Sequence, residues 1–91
     1  MFCCFENYDS FDDLYESIFR GNEVEFQYRE KQYYILPYFN KCGIVIGALF
    51  GEAYSEKDLI CFSKEELYNA RVENTNFGTV FSQIKITWRN I

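Results

Sequence analysis

The sequence predicts a single small α+β domain: an antiparallel sheet of four to five strands in a meander, with an N-terminal amphipathic helix and two short helices packed on one face. Three observations carry that reading. Apolar residues recur at helical spacing from Phe11 to Phe19, apolar and polar residues alternate from Glu23 to Tyr38, and Ser63 to Glu66 spell out a helix start. The 91 residues have room for one core over 1–91 and none for a second lobe with a cleft between domains.

The first helix is specified on both of its sides. Phe11, Leu14, Tyr15, Ile18 and Phe19 fall at i, i+3, i+4, i+7 and i+8, a complete apolar face. Asp9 or Ser10 caps its start, and Gly21-Asn22 ends it in the left-handed conformation. From Glu23 the period becomes two. Val24, Phe26 and Tyr28, then Tyr33 and Ile35, take the core side of a hairpin whose expected register sets Tyr28 opposite Tyr33. Its other side carries Glu23, Glu25 and Gln27 with Tyr34, Leu36 and Tyr38, and Pro37 points to an edge strand or a bulge.

Asn40 to Gly43 turns the chain into the run Ile44 to Phe50, which is apolar on both sides and so suits a central strand. Gly43, Gly47 and Gly51 share one side of it; they either let a helix approach the backbone or mark ends and a bulge. After a polar loop from Glu52 to Asp58, Leu59 to Phe62 forms a short strand. Ser63 and Glu66 then make a capping box, with Phe62 and Leu67 as hydrophobic staple, for a helix running to about Arg71. Phe77, Val80, Phe81 and Ile84 suggest a second short helix capped by Asn74 or Asn76. Ile84, Ile86 and Trp88 alternate with Lys85, Thr87 and Arg89 in a last strand.

Composition narrows the setting. Aromatics make up 21% of the chain, enough for ten Phe and eight Tyr to build a core without staples. Four cysteines could form two disulfides, but Cys3 and Cys4 are adjacent and Cys42 and Cys61 sit in or beside apolar strands, so reduced thiols in the cytoplasm are expected. The start Met1-Phe2-Cys3-Cys4-Phe5-Glu6 has no basic region, so no leader is expected, and the apolar run from Gly43 to Gly51 is too short to cross a bilayer. A net charge of −5 and a pI near 4.6 disfavour nucleic acid and anionic membranes as direct partners, and favour a basic protein surface.

The stretch Glu23-Val24-Glu25-Phe26-Gln27-Tyr28 with Lys31, Tyr33 and Ile35, followed by Phe62 to Ala70, resembles small uncharacterised proteins of Gram-positive bacteria and of their phages and mobile elements. The likeness extends from residue 11 onward and consists of core and capping residues. It implies a fold and a genomic setting, and no activity.

Catalytic and metal chemistry find little support. With no histidine, Ser-His-Asp and Cys-His arrangements are excluded. The four cysteines lack any C-x2-C pair for zinc, Asp9 to Asp13 lacks the glycine and closing glutamate of a calcium loop, and no phosphate-cradling loop is present. We expect no enzyme, no cofactor and no metal.

Two surfaces remain as partner-binding candidates. The first twenty-five residues hold seven acids against one base, a net charge of −6. Of these acids, Asp9, Asp12, Asp13 and Glu16 lie opposite the apolar side of the first helix. Acids in a first turn also serve the helix dipole, and a charge run is commonly a solvated face. The sharper reading is mimicry: Asp9 and Glu16 stand about 10 Å apart along the helix, compatible with phosphate spacing. The second surface is Tyr34 and Tyr38 with Leu36, residues that are ordinarily covered and, when exposed, anchor an interface or stack on a base. The expected function is therefore a non-enzymatic inhibitor or immunity-type protein of a phage or mobile element. It would block a basic, nucleic-acid-handling defence or toxin protein by stoichiometric binding. A nucleotide sponge built on aromatic rings is the alternative, a structural module without a dedicated partner is a third, and a homodimer through an edge strand remains open.

Overall fold

The computed structural model of the chain describes residues 6–55 and 58–90. The readings placed on Cys3, Cys4 and the chain start lie outside the described residues. The chain forms helix α1 (Phe11–Phe19), strands β1 (Val24–Tyr28), β2 (Lys31–Phe39), β3 (Val45–Glu52) and β4 (Asp58–Cys61), then helix α2 (Lys64–Tyr68). A small ladder of β5 (Arg71–Val72) and β6 (Thr75–Asn76) follows, then helix α3 (Phe77–Val80), a 3-10 turn over Phe81–Gln83, and β7 (Lys85–Arg89). The main sheet is antiparallel in the order β4-β3-β2-β1-β7. Four strands thus meander, and the segment after β4 crosses the sheet to deliver β7 on the far side of β1.

Alternation fixed which side of each strand is buried. Val24, Phe26, Tyr28, Tyr33, Ile35, Ala48, Phe50 and Ile86 join Leu14 and Ile18 of α1, Leu67 of α2 and Phe77 of α3 in one core. Its centre is aromatic: Phe26 stacks on Tyr33 and on Phe77, with ring centroids 5.2 and 5.1 Å apart, and Phe11 meets Phe77 and Phe81 edge-on. Such pairs add about 0.5–1.5 kcal/mol each beyond area burial, which suits a chain this rich in rings. All three helices contribute to this side of the sheet.

Helix starts follow the sequence closely. Ser10, not Asp9, caps α1, its Oγ accepting from the Asp13 amide at 3.1 Å; Arg20 closes the helix and Gly21 follows at φ 96°. Ser63 Oγ accepts from the Glu66 amide at 3.1 Å, and Glu66 Oε1 accepts in turn from the amide of Phe62 at 2.8 Å. Asn76 caps α3.

Several expectations are corrected. The hairpin sets Tyr28 opposite Lys31 and Phe26 opposite Tyr33, a shift of two residues from the expected register. Arg29 and Glu30 form its turn with φ of 56° and 79°, the primed geometry that matches strand twist, although neither residue advertises it. A shift of two preserves the sides, so the core set is unchanged. β2 is the middle strand rather than an edge. The Ala53 amide donates to Gln32 O, so even-numbered residues of β2 bond towards β3, and the nitrogen of Pro37 faces the other way, past the end of β1. Proline therefore removes no ladder bond, and the strand bulges just beyond it between Tyr38 and Phe39.

Helix α2 stops at Tyr68 instead of near Arg71, because Arg71 and Val72 pair with Asn76 and Thr75. The hydrophobic staple is replaced: Leu67 is fully buried while Phe62 is 57% exposed and turns its ring to Tyr38. Cys42 is exposed in the turn before β3, and Cys61 is buried. Ile44, placed in a doubly covered strand by its sequence, is 60% exposed.

Candidate functional site

The helices occupy one side of the sheet, and no described helix lies on the other. Pairing defines a row across that open side: Asp58 on β4, Gly51 on β3, Tyr34 on β2, Glu25 on β1 and Trp88 on β7. Trp88 is the surprise in this row. Its alternation with Ile84 and Ile86 assigns it to the core, but a register shift between Glu25 and Phe26 leaves Thr87 unopposed and sets Trp88 beside Glu25, 39% exposed.

The two strand glycines make room on this side for rings from the neighbouring strands. A Cβ on Gly51 would collide with the phenol of Tyr34, whose ring lies across β3 and donates its hydroxyl hydrogen to the Asp58 carboxylate. A Cβ on Gly47 would come within 2.8 Å of the Cys61 carbonyl and 3.3 Å of the Phe62 ring, which meets Tyr38 edge-on at 6.2 Å. The glycine spacing thus admits side chains from neighbouring strands, not a helix; Gly43 lies outside the strand in a turn at φ 83°. Between the two bridges, Leu36, Leu49 and Ile60 form an apolar floor of partly buried side chains.

Tyr34, Leu36, Leu49, Gln32 and Glu25, with the fully exposed ring of Tyr54, line a hollow of about 740 Å³ on this side. The Tyr34 phenol titrates above its ordinary range, first because it is bonded to Asp58 and second because it is partly desolvated. Gln32 reaches over β1 to Thr87 Oγ1 at 2.7 Å, tying the hairpin to β7. Glu25 is exposed and has no ion pair among the described residues. At the free end of the β2–β3 hairpin, Phe39, Ile44 and Ile46 are exposed to solvent.

The acidic residues of α1 sit elsewhere. Asp9, Asp12, Asp13 and Glu16 are all exposed, on the helix layer behind the sheet. Asp12 pairs with Lys64 at 2.9 Å and Glu16 with Arg20 at 3.6 Å, so half of the stripe is balanced by nearby cations. The hydrogen bond to Asp12 also holds the Lys64 ammonium above its usual range. The structure therefore brings Tyr34 and Tyr38 together on one surface and Asp9, Asp12, Asp13 and Glu16 on another, without joining the two. Alternation located the tyrosines; Trp88, Phe62 and Leu49 were missed because a bulge, a strand end and a doubly apolar run conceal which side a residue faces.

Burial, with Glu66 nearby, pushes the Cys61 thiol up to about 11, which disfavours its thiolate form. Among the described residues no cluster of three or more His, Cys, Asp or Glu side chains could hold a metal ion, and no helix is long and apolar enough to cross a membrane. No protein-family model matches the chain, nor does any curated protein or solved structure.

Proposed function

We propose that the chain is a non-catalytic binding protein of the inhibitor or immunity type, which holds a basic protein partner against the open side of its sheet. One observation carries the reading: a side of the sheet that no described helix covers, where aromatic and aliphatic side chains flank the carboxylate of Glu25, which has no ion pair among the described residues and stands between Tyr34 and Trp88. A lysine or arginine of the partner placed there gains an ion pair and aromatic faces together. Asp9, Asp12, Asp13 and Glu16 act from the other side as a long-range field that speeds encounter. The resemblance to small proteins of Gram-positive bacteria, their phages and mobile elements supports a defence or toxin protein as the target. A nucleotide fits this surface less well, since its phosphates would meet Glu25 and Asp58.

The test is capture from host lysate at low and high salt, with Glu25→Lys beside the wild type and the captured protein then titrated in purified form. Glu25→Lys is expected to weaken the complex at least ~10-fold, because like charges meet at the contact. A complex held equally tightly by Glu25→Lys overturns this surface as the docking site.

A further inference from the structure

The geometry points to a second mode of recognition, beyond the open sheet side: we infer that the free edge of β4 accepts an extended basic segment of a partner protein as an added strand. The two edges of the sheet differ. β7 is bulged against β1 and carries Lys85, features that discourage further pairing, and the guanidinium of Arg89 lies over the Tyr8 ring and bonds Glu6 O. β4 has no bulge, proline or lysine.

Its hydrogen-bonding phase is fixed by the neighbouring strands. Odd-numbered residues of β3 bond to β2, so Ala48 and Phe50 bond to Cys61 and Leu59 on β4. The amide and carbonyl of Ile60 therefore face outward, and neither has a backbone partner among the described residues. An incoming residue opposite Ile60 makes both bonds. Its neighbours on either side then project over the helix layer, into a groove of about 320 Å³ lined by Leu59, Cys61, Glu65, Glu66 and Asn69.

Charge selects the occupant. Glu65 and Glu66 are exposed at that groove, Asp58 is exposed at the strand's start, and Lys64 next to them is held by Asp12. A strand with Lys or Arg at alternate positions places its cations against Glu65 and Glu66 while its other side continues the apolar floor at Ile60. A second copy of this chain pairing β4 with β4 would instead bring two sets of carboxylates together. The occupant is thus a basic extended segment of another protein.

The test uses a short peptide of alternating lysine and valine, with amide exchange at Ile60 as readout, independent of Glu25 and Trp88. Binding is expected to slow exchange at Ile60 by at least ~10-fold, since that amide exchanges freely without a partner. Calorimetric titration with the same peptide reads the variants: Ile60→Pro, which removes only an outward amide, is expected to abolish binding with the fold intact, and Ile60→Thr, which keeps the amide, is expected to retain it. Glu65→Lys weakens binding. No binding, or binding that leaves Ile60 exchange unchanged, overturns the proposal. Ile60 protection that rises with protein concentration in the absence of peptide overturns the choice of partner in favour of a second copy.

Discussion

At the scale of single residues, Gly51 shows how one missing methyl group shapes a surface. Its bare backbone lets the Tyr34 ring cross β3 to Asp58, so a side chain there must displace the ring and break the bond. Gly51→Ala is expected to destabilise by about 1–3 kcal/mol in urea denaturation, and in a Tyr34→Ala background the same change should cost far less. The cycle isolates the contact. Tyr33, on the opposite side of the same strand, gives a pH prediction. Burial, with Glu52 and Glu73 close by, raises its phenol from 10.0 to about 12. The folded state therefore holds this proton more tightly than the unfolded chain. Its contribution to stability is complete below pH 10 and is lost as pH rises towards 12. Denaturation midpoints should fall over that window, and Tyr33→Phe should lessen the fall.

At the scale of elements, local signals were legible where chemistry is local. Ser10 and Ser63 accept the amides three residues on, and both caps could be read from the chain because capping needs only neighbouring residues. The buried sides of β1 and β2 were legible too, since a register error of two residues leaves every side chain facing the same way. The register itself was not. It depends on the Arg29-Glu30 turn, whose positive φ values are set by strand twist and paid for against residue preference. Replacing Arg29-Glu30 with Asn-Gly should therefore stabilise the protein by about 1 kcal/mol, after allowing for the loss of the Arg29 contact with the Tyr28 ring; the denaturant midpoint checks it. Trp88 illustrates the limit for the site. Strict alternation assigns it to the core, and only the unopposed Thr87 reverses it, a consequence of pairing with β1 that no local pattern encodes. The β5–β6 ladder is two residues long on each strand and so has no period to detect.

At the scale of the whole molecule, the two candidate surfaces are separated by the sheet, with helices on one side and no described helix on the other. The acids of α1 and the tyrosines of β2 were read from the sequence as two candidate surfaces, and the structure sets them on opposite sides of the sheet. Reversing Asp9, Asp12, Asp13 and Glu16 is expected to slow association and flatten its salt dependence while leaving dissociation nearly unchanged. Stopped-flow mixing with the captured partner separates the two rates. Changes on the sheet side, such as Glu25→Lys, should instead speed dissociation.

The most direct measurement exploits the single tryptophan of the chain, which stands beside Glu25 on the open side. Titrating the protein with a short arginine-rich peptide, while following Trp88 emission, reads occupancy of the proposed site itself. A saturable change that weakens with salt and disappears in a folded Glu25→Lys variant is the expected result. Emission that stays constant to millimolar peptide, or responds identically in Glu25→Lys, contradicts the assignment of this surface to a basic partner.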